Sequence, residues 1–294
     1  MALGLLALPL ALPLLGTSAL PTAAASEEDE ATWAVPVRVA TYNFQGKRPL
    51  KKFKPAVDKL MERVEVAGLQ ETRQADRIKH LDRAPQWGVY RPGDTNPNPV
   101  IWDKRVFQFV QGRGFLLAHG RNIGNEREAG RGVYHDTYAT VVRLRHLSTG
   151  ANFSVINVHL VAGAVRKGRP WPGRPKLFRM YRQQLASVVK VERIESEWGK
   201  VFVLGDLNVG YRIDRATQRR GLPYQRLTRR GLTSMWRDHD LSTGGTRNRS
   251  YIDQIWSDRA ATSAEVARDI RGSDHLPAIA TYTYDLIPLT LAAP

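Results

Sequence analysis

The chain has 294 residues, 42% of them hydrophobic, enough for one large domain or two small ones with ample core, and it shows no repeat period. Its 44 Lys and Arg against 28 Asp and Glu leave +16, a field that attracts polyanions such as nucleic acid, an anionic membrane surface or a sulfated polymer. With no cysteine, the chain has no disulfides, thiol nucleophiles, thiolate zinc sites or thiol redox chemistry.

Residues 1–25 carry no charged side chain, hold the apolar run from Leu5 to Leu15, and end in Ala23, Ala24 and Ala25. This pattern reads as a secretory signal peptide and implies a secreted, extracellular protein. Pro9, Pro13, Pro21 and the short span argue against a transmembrane helix, and no later stretch is apolar enough to cross a bilayer. Glu27, Glu28, Asp29 and Glu30 make residues 26–34 an acidic segment. A single domain over 35–286 and a tail over 287–294 follow.

Within the domain, residues 35–43 read as a strand ending in Tyr42 and Asn43. Phe53, Val57, Leu60, Met61 and Val64 then recur at helical spacing. Residues 65–69 are a short strand ending in Gln70 and Glu71, followed by a helix over 75–81 and a strand over 87–91. Residues 106–110 and 115–117 suggest a pair of strands, and the polar, Gly-rich stretch 119–136 a long exposed loop. Residues 137–145 and 153–159 read as adjacent strands, the second ending in Asn157, Val158 and His159. The composition of 163–175 is that of a loop. Leu177, Tyr181, Leu185 and Val188 mark an amphipathic helix running to about Trp198. The apolar run 200–204 is a buried strand, and Gly205-Asp206-Leu207-Asn208 emerges from it. Residues 211–230 suggest loop with a short helix, 250–256 a strand carrying Asp253, and 277–284 a last strand after Ser273, Asp274 and His275. Strands and helices are mixed throughout, which predicts an α/β (α+β) two-sheet architecture.

The strand ends carry the chemistry. Residues i and i+2 of a strand point the same way, so Asp206 and Asn208 are expected to face one site. Asn43, Glu71, His159, Asp253, Asp274 and His275 occupy comparable positions. A set drawn only from Asn, Asp, Glu and His is the inventory of a metal-assisted phosphodiester hydrolase. Hard oxygens suit Mg²⁺ or Mn²⁺, and two histidines suit proton transfer and charge stabilisation.

Thr41-Tyr42-Asn43, Leu69-Gln70-Glu71, Asn157-Val158-His159-Leu160, Gly205-Asp206-Leu207-Asn208, Tyr251-Ile252-Asp253-Gln254-Ile255 and Ser273-Asp274-His275 together, and in this order, resemble the endonuclease/exonuclease/phosphatase superfamily. This group includes deoxyribonucleases, abasic-site endonucleases, inositol-phosphate phosphatases and sphingomyelinases. The resemblance implies a four-layer sandwich of two packed mixed β-sheets with helices outside and the active site at one edge. It implies that Glu71 and Asn43 hold a metal, Mg²⁺ by expectation with Mn²⁺ or Ca²⁺ as substitutes, and that Asp274 ligates metal from the opposite side. In the same reading His275 is the base or the phosphate-facing histidine, oriented by Asp253. Asp206 positions the attacking water or a second metal, and Asn208 and His159 donate to phosphoryl oxygens.

Two basic segments follow catalytic strand ends. Residues 166–182 include Arg166, Lys167, Arg169 and Arg174, and residues 212–230 include Arg212 and Arg215. Arg forks bind phosphate, and the interleaved Trp171, Phe178, Tyr181, Tyr211 and Tyr224 are candidates to stack on bases. The expected activity is therefore that of a monomeric, sequence-nonspecific endonuclease with DNA as substrate and RNA as a second. One alternative is a phosphodiesterase or phosphatase acting on a phospholipid headgroup, of the sphingomyelinase or phosphoinositide type, with Trp171 as its membrane-entering side chain. Another is a catalytically silent polyanion-binding protein.

Overall fold

The connections between strands decide which of them can pair in parallel, and two long helical ones do so here. The computed structural model describes residues 33–93, 96–124, 132–241 and 244–287. The signal peptide, nearly all of the acidic segment and the tail from residue 288 lie outside the described residues. The first half holds β1 (Trp33–Asn43), α1 (Leu50–Met61), β2 (Val66–Gln70), α2 (Ala75–Arg83), β3 (Trp87–Tyr90), β4 (Val100–Asp103), β5 (Phe107–Ala118), β6 (Arg121–Asn122) and β7 (Val133–Tyr134). Then come β8 (Thr137–His146), β9 (Asn152–His159), β10 (Val165–Arg166), β11 (Arg169–Pro170), α3 (Pro175–Ser196) and β12 (Lys200–Asp206). The rest is α4 (Tyr211–Thr217), α5 (Pro223–Thr228), β13 (Thr233–Ser234), β14 (Asp253–Ser257), β15 (Ser263–Val266) and β16 (Ala278–Leu286).

Two six-stranded sheets form, ordered β15-β16-β1-β2-β4-β3 and β13-β14-β12-β9-β8-β5. Each is antiparallel except for one interior pair, β1 with β2 in the first and β9 with β12 in the second. A parallel pair needs a crossover, and α1 and α3 supply the two. Each sheet thus contains a βαβ unit whose two strands finish at the same edge. Asn43, Glu71, His159 and Asp206 stand at or just past those four carboxyl ends.

Alternation along β1 explains the layers. Val37 and Val39 belong to the core shared with Val141, Val155 and Leu204 of the second sheet. Ala40 and Tyr42, on the other face, pack with Phe53, Val57 and Leu60 of α1 and with Ile78 and Leu81 of α2. On the far side of the second sheet α3 starts at Pro175, where the missing N–H is not needed, and buries Leu177, Met180, Tyr181, Leu185 and Val188. Each such burial contributes about 1.5–3 kcal/mol. The product is helix, sheet, sheet, helix, the sandwich that the sequence implied.

Four local readings change. The strands expected over 106–110 and 115–117 are one strand, β5, from Phe107 to Ala118, with register shifts between Phe109/Gln111 and Leu116/Ala118. Between them, Gly112 is a site of close approach, since a Cβ there would lie 2.5 Å from the ring of Tyr90. The 119–136 stretch contains the β6–β7 ribbon, with 125–131 outside the described residues, and the 163–175 stretch contains the β10–β11 hairpin. Residues 211–230 hold two short helices.

Asn157 lies on β9, fully buried, and its role is to join the sheets. Its Nδ2 donates to the carbonyls of Leu69 (2.8 Å), Pro99 (2.9 Å) and Asn98 (3.1 Å), and its Oδ1 accepts from Gln70 Nε2 at 2.7 Å. Asn157→Ala removes these four hydrogen bonds from the buried sheet interface and is expected to cost about 2–4 kcal/mol, read as a lower urea midpoint at unchanged slope.

Candidate active site

The site is assembled where the two sets of strand ends meet. Asn43, buried at the end of β1, donates from Nδ2 to Glu71 Oε1 at 3.2 Å and to Asp206 Oδ2 at 3.1 Å, and so links one sheet to the other. Its Oδ1 accepts the Gln45 amide at 2.9 Å. Glu71 follows β2 with φ +55, a left-handed conformation that a non-glycine residue adopts at some cost. The Gly46 amide donates to its Oε2 at 2.8 Å. Arg77 lies beneath, 1% exposed. Its guanidinium sits over the Phe53 ring and donates to the carbonyls of Glu71 and Arg48, so a single buried cation ties together the turns after β1 and β2. Burial works to raise the Glu71 pKa. The Gly46 N–H, His159, Asn43 and His275 outweigh it and hold the carboxyl below its ordinary value.

Asp206 closes β12. The preceding Gly205 has φ +144, and a Cβ there would lie 1.9 Å from the Val158 carbonyl oxygen, so only glycine lets the end of β12 lie against β9. Beyond it the chain is fixed by Leu207 N–H to the Ile252 carbonyl (2.9 Å), by Tyr181 O–H to the Leu207 carbonyl (2.9 Å) and by Gln254 Nε2 to the Val209 carbonyl (2.7 Å). Asn208, at φ +53, donates its amide to Asp206 Oδ1 (2.9 Å) and its Nδ2 to the Leu160 carbonyl (2.8 Å). His159 Nε2 lies 3.6 Å and His275 Nε2 3.8 Å from Asp206 Oδ2. Burial and the neighbouring Asp253 charge raise the Asp206 pKa, against the two histidines and the Asn208 amide.

His275 is buried and donates from Nδ1 to Asp253 Oδ2 at 2.8 Å. Burial would lower its pKa, but Asp253, by charge and hydrogen bond, and then Asp206 push it up to about 9. The ring is therefore an imidazolium at neutral pH. Asp206, Asp253 and His275 form a buried group whose ligand atoms lie within 4.8 Å of one another.

A cleft of about 610 Å³ opens onto this edge, lined by Glu71, His159, Asp206, Asn208 and Arg247 among others, with Tyr134, Asp136 and Tyr138 on a further wall. Seven of the eight residues expected to act on metal or phosphate thus converge. The eighth, Asp274, stands beside them, half-buried, with its Oδ2 accepting from Arg247 Nη2 at 2.8 Å. None of Arg166, Lys167, Arg169, Arg174, Arg212 and Arg215 lines the cleft. Arg174 lies 3.8 Å and Arg166 5.3 Å from the Trp171 ring centre, one Arg212 nitrogen donates to the Leu241 carbonyl, and one Arg215 nitrogen to the Arg237 carbonyl. Of the aromatics, Tyr181 and Tyr211 are buried, and Phe178 and Tyr224 are half-buried in ring contacts with them, so these four pack the interior. Arg247 and the wall of Tyr134, Asp136 and Tyr138 went unread in the sequence. Arg247, Tyr134 and Asp136 sit in polar stretches with no periodicity, where a single Arg is one base among 44 Lys and Arg, and nothing marks Tyr138 within the expected strand 137–145.

The donors suit a hard divalent cation. The carboxylates of Glu71 and Asp206, with the Asn43 carboxamide between them, are oxygen ligands at one edge, and burial of Asp206 beside Asp253 leaves negative charge that a cation would offset. Glu71 would hold it, with Asp206 facing it; Asn43, expected as a ligand, here gives Nδ2 to both carboxylates and Oδ1 to the Gln45 amide, and so positions the pair.

Fold and site together define a hydrolase of phosphoester bonds. The sequence matches the endonuclease/exonuclease/phosphatase family over residues 40–275, and the chain belongs to that family. No curated protein matches it. Among solved structures it is similar to a Bacteroides thetaiotaomicron member of the family, with 16% identity, TM-score 0.60, 86% of this chain and 100% of that one covered. It is also similar to a Bacteroides thetaiotaomicron mannosyl-6-phosphatase (16% identity, TM-score 0.59, 84% and 99% covered). TDP2 from D. rerio, complexed with single strand DNA product, is a third (15% identity, TM-score 0.56, 84% and 98% covered). At these identities the likeness concerns the fold.

A group whose folded pKa is raised above its unfolded value lends stability that is complete below the unfolded value, about 6.5 for His, and is lost as pH rises through the folded one, about 9 here. Asp253→Asn removes the largest force raising His275. Between pH 6 and 9.5 the wild type is expected to lose on the order of 2–3 kcal/mol more stability than this variant, measured as urea midpoints at each pH.

Proposed function

We propose that the chain is a secreted, Mg²⁺-dependent phosphodiester hydrolase that cuts nucleic acid, DNA first, with little sequence preference, and that it acts as a monomer after residues 1–25 have directed export. One observation carries the substrate. The two basic segments, distant in sequence, adjoin in space: the β10–β11 hairpin rests on α4, with Thr217 Oγ1 donating to the Gly168 carbonyl at 3.4 Å. Arg166, Lys167, Arg169, Arg212 and Arg215 are exposed there, and the chain entering the hairpin, Leu160 to Ala162, lines the cleft. Such a surface grips a phosphate backbone without reading bases.

In this reading a cation held by Glu71 and facing Asp206 would neutralise charge on the phosphoryl group. His275, kept protonated by Asp253, stabilises the charge that grows on the phosphoryl oxygens in the transition state. Asp206 accepts a hydrogen bond from the attacking water and aligns it, and His159 donates on the open side of the cleft. Asn208, anchored through Leu160 and Asp206, presents its remaining amide hydrogen to the phosphoryl group.

A second reading rests on the cleft wall. Asp136 with Tyr134 and Tyr138 suits the hydroxyls and ring face of a small phosphorylated sugar better than a polyanion. The phospholipid alternative is weakened at Trp171, whose ring is engaged by the guanidinium groups of Arg166 and Arg174.

Residues 26–294 incubated with supercoiled plasmid are expected to nick it with Mg²⁺. Chelator should abolish nicking and His275→Ala should lower it by a factor of 100 or more, of the size seen when one transition-state donor is removed. Plasmid that stays intact while the protein binds it would overturn the nuclease reading. Turnover of a hexose 6-phosphate in its place would establish the second.

A further inference from the structure

Arg247 opens a tight turn. Its amide donates to the Ser250 carbonyl (3.1 Å) and its carbonyl accepts from the Ser250 amide (2.7 Å), with Asn248 and Arg249 at φ +45 and +59 between them. The preceding Thr246 is buried. Its Oγ1 accepts from the Asp253 amide at 3.3 Å and its carbonyl from the Leu276 amide at 2.8 Å, so the Arg247 backbone is tied to both elements that carry the His275–Asp253 pair. The side chain then reaches the cleft, where Asp274 takes its Nη2 at 2.8 Å. Nη1 has no partner among the described residues, and Nε is buried without one. An arginine that spends one of five donors on protein and leaves a buried N–H unpaired is held in place by its turn and by Asp274, with its own bonding left incomplete. The rest of the cleft heightens the contrast. Its described lining carries three carboxylates, Glu71, Asp136 and Asp206, and Arg247 is the one arginine in it.

We infer that Arg247 is a substrate-anchoring residue whose free Nη1 end grips a non-bridging phosphoryl oxygen of the substrate, with Asp274 acting to aim it. The inference deepens the proposed function by naming what the cleft holds first, the phosphate itself whatever group it carries. An Arg fork on phosphate makes a charge-assisted contact with fixed direction, which a lysine reproduces only as a point charge. It also gives Asp274 a role as a positioning residue, in the place where sequence resemblance put a metal ligand.

The test is calorimetric binding of inorganic phosphate to residues 26–294 with Mg²⁺, alongside the kinetics of bis(p-nitrophenyl) phosphate hydrolysis. Arg247→Ala is expected to weaken phosphate binding by 10- to 100-fold and to raise KM by a similar factor with kcat within about threefold, while Arg247→Lys recovers part of the loss. Arg249→Ala, in the same turn but exposed, is expected to bind as the wild type does. The double variant Arg247→Ala with Asp274→Asn separates contact from repulsion. Binding that stays weak supports the anchor, and binding restored to the wild-type value overturns it. Phosphate affinity unchanged in Arg247→Ala, or absent in the wild type, also overturns it. If the wild type binds phosphate through Arg247 but hydrolyses no diester, the proposed function fails and the anchor stands.

Discussion

Two carboxylates that repel each other, Glu71 and Asp206, end strands of different sheets, and the carboxamide of Asn43 donates to both. Everything else at the edge follows from holding that pair together. The left-handed backbone at Glu71, the glycine before Asp206, the buried Arg77 and the inter-sheet clamp of Asn157 each fix one strand end against its neighbours. None of these features is a cheap way to build a protein interior. Positive φ at non-glycine residues and a fully buried guanidinium each cost free energy, and they persist where the surrounding packing over-determines them. Their concentration at one edge, beneath one cleft, is the mark of a site whose geometry matters more than its local stability.

Electrostatics divides the site into two halves. On the Glu71 side, backbone and side-chain donors hold a carboxylate ionised and ready for a cation. On the His275 side, Asp253 keeps an imidazole charged inside the protein. Asp206 lies between them, raised by burial and by Asp253 and lowered by both histidines, so it feels each half. With a cation held at Glu71, a phosphoryl group entering beside the His275 imidazolium would meet positive charge on two sides, which is what displacement at an anionic phosphorus centre requires. The arginines of the two basic segments, 166–182 and 212–230, do not line the cleft.

The chemistry of the strand ends was legible because it is local. An apolar run ending in Glu, Asp, Asn or His identifies both the strand and the side chain that emerges from it; the mixture of strands and helices pointed to two sheets, and the family resemblance supplied the four-layer sandwich. Contacts between distant segments were not legible. Asn157 ends a strand as the site residues do, yet it turns into the sheet interface, and nothing in its own neighbourhood distinguishes the two outcomes. Residues 106–117 read as two strands, since the ring of Tyr90, the reason for Gly112, belongs to another sheet. Phe178, Tyr181, Tyr211 and Tyr224 lie among bases in sequence and pack inward in space. Arg247 could not be told from the other bases, since its meaning comes from Asp274 and the cleft.

The central claim is that the two strand-end carboxylates form one cation site serving a phosphoester. A crystal of the protein soaked in Mn²⁺, with anomalous scattering recorded at the manganese edge, tests it most directly. The account predicts a single strong peak at about 2.1–2.3 Å from a Glu71 carboxylate oxygen, on the side facing Asp206 and open to the cleft. A peak confined to other carboxylates, or no peak at saturating Mn²⁺ with Glu71 and Asp206 ordered, would contradict it.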